Sequence, residues 1–429
     1  MRNRLLNNFF LMLISPVAGM VVGLKNSGSK FHKKWIITFF CVFFASTFNK
    51  NTIGDGIRHW AAVEDYYVGL SFEQFFSDLV DIVTFKTNLD VNEDVYIHVI
   101  SYLTGSILGF PGLFFTVVGF IYGYFFSSSI LKVFDVFPSW RRHTTVFILA
   151  VYFILILNIQ SMNTVRTWTG FWIMFYGVLQ YLDAKKLKYL ILAFSAPLFH
   201  FGYFIMALPV WLGLLTRIPK IVVVGIYTIS FTTNFFSLEL VEKQLAQFEV
   251  GQEKTDAYAV EEKAGIDDRV KALDGKRWYL TYKKSGIVQW AIVGIVAVLL
   301  LNGDYFRKMN NPESILFTIG LLEKAFSNTT WFLFAVSNRS DVIASHFILA
   351  SLLLYWQRIH QNGFALKLKP YLNPPWYIAC ILILLVYFFY ASNILEYTSV
   401  FTLISPYMVW FDQSMAITLR GLIGYLLGI

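Results

Sequence analysis

Four short polar constellations interrupt a chain that is otherwise strongly apolar, and their residue types suit the handling of anions and protons. The first is Gly54-Asp55-Gly56-Ile57-Arg58-His59-Trp60. Its glycines allow a tight turn, and Asp55 and Arg58, three apart, share a face if a helix begins there. They either face one pocket, with His59 beside them, or form a helix cap with a surface ion pair of little energetic weight. The second is Asn158-Ile159-Gln160-Ser161-Met162-Asn163-Thr164-Val165-Arg166. A guanidinium at position 166 can hold a phosphate in bidentate fashion, although interfacial arginines also simply snorkel. The amides of Asn158, Gln160 and Asn163 favour a polar cavity, because uncharged amides have no electrostatic reason to sit at a lipid surface.

The third is His200 in Pro197-Leu198-Phe199-His200-Phe201-Gly202. A lone histidine is ordinarily a satisfied core residue, yet its charge switches near neutral pH. The fourth is Asn338-Arg339-Ser340-Asp341, with His346 further along. Arg339 and Asp341 are two apart and diverge on a helix, so a regular helix sends only one into a given pocket, and Arg339 is the stronger candidate. Glu323 and Lys324 fall inside an apolar segment, where charge faces protein or water rather than lipid. Asp90, Glu93 and Asp94 precede another apolar segment; Asp90 reads as a helix start, and Asp94 is left between that role and a base.

Elements able to position these groups are set by the chain's apolarity. Of 429 residues, 56% are hydrophobic, 18% aromatic and 14% charged, with mean hydropathy +0.56. A soluble domain carries about a quarter charged residues. Residues 144–165 and 285–303 approach the ~20 residues of a bilayer crossing and lack the polar stripe of a soluble core helix. The expected fold is therefore all-α, a polytopic membrane protein forming one integral domain over 1–429, with about ten to twelve membrane segments including re-entrant or broken helices. The net charge of +8 would suggest nucleic acid for a soluble protein. Here the basic residues cluster in loops that orient the spans, so no nucleic-acid partner is implied. Cys41 and Cys380 both lie in apolar segments and read as small core residues.

The basic clusters Lys25, Lys30, Lys33 and Lys34; Arg141 and Arg142; Lys185, Lys186 and Lys188; Arg307 and Lys308; and Arg358, Lys367 and Lys369 mark the cytoplasmic side. Residues 5–23 read as a retained first span. Residues 50–94 read as an outer loop with an interfacial helix, and 238–285 as a large charged loop on the same side. The segment 95–110 is expected to re-enter or lie at the outer leaflet, turning at Pro111 and Gly112. Residues 189–214, between two basic loops, are expected to form a hairpin of half-spans bent near His200. Phosphate-cradling glycine loops, paired-histidine zinc helices and nucleophile elbows are all missing from the sequence.

In order along the chain stand an opening pair of spans around a basic loop, a Gly-Asp-x-x-Arg element (54–58), Ile100-Ser101-Tyr102-Leu103 before an aromatic span, Asn163-x-x-Arg166, a Lys-rich turn, Leu198-Phe199-His200 and an Arg339-bearing span start. This order, over most of residues 1–360, resembles the EpsG/Wzy-type polymerases that join oligosaccharide repeat units of bacterial surface polysaccharides. The sequence departs from that pattern after Asp55, where Gly56 and Ile57 stand and Glu64, Asp65, Tyr66 and Tyr67 follow only turns later. The resemblance implies a fold similar to polyprenyl-dependent multi-span glycosyltransferases in the bacterial inner membrane, with the cavity at the outer face. It implies undecaprenyl-pyrophosphate-linked oligosaccharide as substrate, a chain-length regulator as a typical partner, and neither cofactor nor obligatory metal.

The implied reaction moves a glycan from its lipid pyrophosphate to a hydroxyl of the next lipid-linked unit. Arg166, Arg339 and Arg58 are then the groups to stabilise the departing pyrophosphate, with His59 and Asn163 as further substrate contacts. Asp55 is the first choice of base and His200 the second. A lipid-linked oligosaccharide flippase would need polar access from both faces, and a membrane O-acyltransferase modifying the polysaccharide would place its histidine toward the cytoplasm. The groups must converge in one outward cavity for the polymerase reading to stand.

Overall fold

The computed structural model describes residues 2–47, 55–86, 94–134, 144–232, 282–330, 334–361, 368–404 and 417–428. Most of the charged loop expected over 238–285, together with Asp90, Glu93, Arg141, Arg142 and Lys367, falls outside them. The described residues are helical, with a lone antiparallel bridge between Ser399 and Thr418. Three helical stretches, Pro111–Val133, Thr144–Thr164 and Ala335–Gln361, of 23, 21 and 27 residues, are long and apolar enough to cross a bilayer.

The amino terminus corrects the expectation of a single span over 5–23. Helix α1 (Arg2–Ile14) ends at Ser15, whose hydroxyl accepts from the Ala18 amide, and α2 (Pro16–Asn26) starts on Pro16. Proline fits the first turn of a helix but cannot continue one. The chain doubles back, with Gly19 against the Met12 backbone and Gly23 against the Asn8 side chain. Neither arm, at 13 and 11 residues, is long enough to cross a bilayer.

Helix α3 (Lys30–Ser46) packs closely on α7 (Phe114–Val133) because glycines on α7 leave room for it. A Cβ on Gly119 would lie 2.8 Å from the Cys41 carbonyl oxygen, and Thr38 Oγ1 meets Ser127 Oγ at 3.0 Å across the same seam. Small residues with hydroxyl cross-links are how helices approach in a lipid-like setting, where apolar burial alone gives no preference. Between them in sequence stand α4 (Asp55–Ala62), α5 (Phe72–Val83) and α6 (Val95–Tyr102). Helix α5 has three sectors. Phe72, Phe76, Val80 and Val83 are exposed, Glu73, Gln74 and Ser77 are exposed beside them, and Phe75, Asp78 and Ile82 are buried. The buried sector holds α6 in place, since His98 stacks on Phe75 at 4.7 Å and bonds its carbonyl at 3.0 Å.

Helix α8 (Thr144–Ile156) and α9 (Thr167–Ala184) flank the turn at Ile159–Thr164. Residues 187–215 then break into α10 (Leu187–Phe194), α11 (Ala196–Phe199), α12 (Tyr203–Met206) and α13 (Leu208–Leu215), none long enough to cross. The outer two touch where Phe194 stacks on Trp211 at 4.7 Å. After α14 (Lys220–Ile229), α15 (Tyr282–Asn302) and the short α16 (Asp304–Lys308), the pair α17 (Asn311–Thr329) and α18 (Phe334–Gln361) forms the most extensive helix contact. Gly320 of α17 lies so near α18 that a Cβ would sit 2.9 Å from the Ile348 amide nitrogen. Helix α19 (Asn373–Tyr397) packs on α8 and α15, and α20 (Leu419–Leu427) on α19.

The core is aromatic. Trp172, Phe171, Phe175 and Phe153 enclose His346, whose Nδ1 bonds the Val342 carbonyl at 2.8 Å. Cys41 and Cys380 are buried within it. Arg358 does not lie in a loop: in the last turn of α18 it holds Glu313 through Nε at 2.7 Å and Nη2 at 2.8 Å. Glu313 also closes the capping box with Asn310 that starts α17, so one carboxylate secures both helices of the pair.

Lys324 of α17 pairs with Asp341 of α18, both almost fully buried. Removing one member of such a pair leaves a lone buried charge, whereas replacing both with apolar groups of like volume is close to neutral. Lys324→Met is therefore expected to cost about 3–5 kcal/mol. The double variant Lys324→Met/Asp341→Leu should recover most of that loss, as measured by thermal unfolding in detergent. Equal destabilisation of the single and double variants would contradict it.

Candidate active site

The turn before α9 aims its arginine by an unusual route. The backbone tightens from Asn158, whose side chain accepts from the Gln160 amide at 2.9 Å, into the helical turn Ile159–Thr164. Tyr122 of α7 anchors that turn, meeting Ser161 Oγ at 2.7 Å while accepting from Trp172 Nε1 at 3.0 Å. The chain then reverses at Val165, at φ 51° and ψ −63°, with the Arg166 amide bonding back to the Thr164 carbonyl. This is a γ-turn of the rare, strained hand, and a β-branched residue there is held against its torsional preference. Val165 is buried, so packing enforces the conformation. Strain of this kind persists only where the surroundings over-determine it, and its consequence here is the direction of Arg166.

Asp94 stands at the amino-terminal cap position of α6, but its side chain makes no cap bond. It reaches across the structure instead. Its Oδ2 accepts from Arg166 Nη1 at 2.6 Å and meets His200 Nδ1 at 3.3 Å, while its Oδ1 accepts from the Phe201 amide at 2.6 Å. His200 lies in extended backbone between α11 and α12, and its Nε2 sits 3.1 Å from Nη1 of Arg339 on α18. Gly170 of α9 packs on Phe199 and Tyr203, and Tyr203 donates to the Thr167 carbonyl at 2.6 Å, so α9 fixes the segment on both sides of His200. Four regions distant in sequence thus supply one continuous chain of polar contacts, Arg166 to Asp94 to His200 to Arg339.

The protonation pattern follows from the donor inventory. A guanidinium only donates. His200 Nε2 must therefore accept from Arg339, which places the imidazole proton on Nδ1, directed at Asp94. Burial and the nearby Arg166 and Arg339 hold the imidazole below its ordinary range against the opposing pull of Asp94. Burial alone would push the Asp94 carboxyl up; the hydrogen bonds from His200 and Phe201 and the charge of Arg166 outweigh it and hold the group well below the usual carboxylate range. The resting cluster is an ionised carboxylate, a neutral imidazole and two guanidiniums, with a net positive charge. Asp94 shows 1% of its side chain to solvent and Arg166 19%, so the site is shielded at its base and opens toward the arginines.

Comparison with protein-family models, with curated proteins and with solved structures finds no match.

Of the residues expected at a site, the structure brings together Arg166, His200 and Arg339. Asn163 lies in the same turn as Arg166, and α4 packs directly on it: a Cβ at Gly56 would lie 2.9 Å from the Asn163 carbonyl oxygen. Asp55 opens α4, but its side chain falls outside the described residues. Arg58 is exposed and His59 buried on that helix. Arg166 acts on both Asp94 and His200, and Arg339 acts on His200. The carboxylate seen bonded to the histidine is Asp94, for which the sequence left a helix start and a base both open. Its one sequence signal was a carboxylate abutting an apolar segment too short to cross. Asp341, as its spacing from Arg339 required, turns away to Lys324. Glu323 is fully buried.

Proposed function

We propose that this chain is a multi-pass bacterial inner-membrane glycosyltransferase that polymerises undecaprenyl-pyrophosphate-linked oligosaccharide repeat units into a surface polysaccharide at the outer face of the membrane. The observation that carries this reading is the continuous chain of contacts from Arg166 to Asp94 to His200 to Arg339. Glycosyl transfer from a lipid pyrophosphate needs fixed cations where the leaving group gathers charge and a proton acceptor beside the attacking hydroxyl. The cluster offers both within one network, in a donor set that suits an anion. The exposed apolar sector of α5, between water-facing and protein-facing sectors, supports an interfacial position for the outer loop. The broken helices around His200 suit a cavity wall, the setting in which irregular backbone is tolerated at membrane depth.

In this reading the acceptor hydroxyl attacks the anomeric carbon of the growing chain. The bond from that carbon to the pyrophosphate oxygen breaks, and its electron pair leaves on the phosphate, where Arg166 and Arg339 receive the charge. The hydroxyl proton passes to His200 Nε2, and Asp94 stabilises the resulting imidazolium through Nδ1.

Purified protein given only the lipid-linked repeat unit is expected to form a ladder of products that differ by one unit. Transbilayer movement without a ladder would assign a flippase instead, and acyl transfer to the glycan an O-acyltransferase.

A further inference from the structure

The resting site is blocked as a base. The lone pair on His200 Nε2 is the only one the imidazole has for a substrate proton, and Arg339 Nη1 already occupies it at 3.1 Å. The other ring nitrogen carries its proton toward Asp94. Arg166 is likewise occupied, on Asp94 at 2.6 Å. Asp94 already accepts from three donors, the Phe201 amide included. Arg339 is thus engaged with a group of the protein that a diphosphate would outcompete, since a dianionic, multi-oxygen acceptor offers bidentate geometry that a neutral imidazole nitrogen cannot.

We infer that Arg339 is a removable cap on His200: an anionic diphosphate draws the guanidinium off Nε2, and the histidine becomes a base only when the leaving group is in place. The inference rests on the proposed reading for the identity of the diphosphate. The capping contact itself needs only the geometry. When the cap moves, Nε2 is open to an acceptor hydroxyl, takes its proton and becomes imidazolium, with Nδ1–H still bonded to the ionised Asp94. The charge gained on His200 is offset by the diphosphate that displaced Arg339. Among the described residues, the charged groups facing His200 are Asp94 from the start of α6, Arg166 from the start of α9 and Arg339 from α18, and the third is the one whose partner changes. Without donor present, the site would neither deprotonate a hydroxyl nor activate water.

The test follows His200 by nitrogen NMR of full-length protein in nanodiscs, labelled at its 7 histidines and assigned with His200→Gln. Methylenediphosphonate serves as a diphosphate that cannot be cleaved. In the free protein the Nδ1–H tautomer is expected, with Nε2 at a hydrogen-bonded shift. Saturating diphosphonate should move Nε2 to the shift of an open lone pair and raise the protonation midpoint by about one to two pH units, the size expected when a hydrogen bond involving a charged partner is lost. Arg339→Ala should show the raised midpoint without ligand. Diphosphonate that binds saturably and leaves Nε2 unchanged would overturn the inference, as would the absence of saturable binding. So would an Arg339→Ala protein, monodisperse in the same nanodiscs, that keeps the wild-type midpoint. No turnover is needed: a His200 response without a product ladder would retain the cap and discard the polymerase.

Discussion

Arg166→Ala and Arg339→Ala are each expected to abolish long-chain polysaccharide while the protein remains in the membrane. Removal of one fixed donor from a shielded site that stabilises a departing anion costs about 10²–10³ in rate. Polymerisation repeats the step many times, so such a loss per step removes long products altogether. Arg166→Lys is expected to be nearly as poor, because an ammonium on a flexible stem cannot reproduce a planar bidentate fork. Immunoblots of the polysaccharide beside blots of the membrane fraction read both quantities. Wild-type chain length in the two alanine variants would remove the arginines from the mechanism.

Asp94→Asn has the second large effect, on both stability and activity. The amide keeps the size of the carboxylate but loses the charge that faces Arg166, and its NH₂ would meet the Phe201 amide, the His200 Nδ1–H or the guanidinium, all of them donors in the native network. Removing one partner of a fully buried pair costs about 3–5 kcal/mol. Arg166 retains some water, so about 2–3 kcal/mol is expected once that screening is allowed for. The pH dependence has a definite sign. The folded protein holds the Asp94 carboxyl below its ordinary range, so its contribution is complete above the unfolded value of about 3.9 and lost as the pH falls through the folded one. The difference in Tm between wild type and Asp94→Asn should therefore be constant near neutrality and narrow below about pH 4. A difference that widens on acidification would contradict the assignment. Activity should fall further than stability, because the asparagine no longer sets the His200 tautomer.

The legible part of this site was the set of polar groups with no reason to be where they stand. Arg166 and Arg339 begin apolar helices, and His200 sits among aromatics in a segment interrupted by prolines and glycine. Each is costly in an apolar setting, so each carries information. Helical geometry alone separated Arg339 from Asp341. Asp94 was far less visible. A carboxylate before a helix is an ordinary N-terminal residue, and its partners lie 72 and 106 residues on, a pairing that no local pattern encodes. The γ-turn at Val165 was invisible for a related reason: valine gives no sign of a positive φ, which tertiary packing imposes here. The reading of 5–23 as one span failed because hydropathy counts apolar residues and not backbone continuity. Ser15 and Pro16 carried the break, and Gly19 and Gly23 the surface on which the chain folds back.

The distribution of the site along the chain also bears on its biogenesis. Membrane proteins enter the bilayer from the amino terminus onward. Asp94 and Arg166 can neutralise each other once the chain through α9 is in place, and His200 joins shortly after. Arg339 arrives only with α18. A nascent chain that stops before α18 therefore carries a paired carboxylate and arginine, and on the proposed reading the cluster is complete only once α18 brings Arg339 to His200.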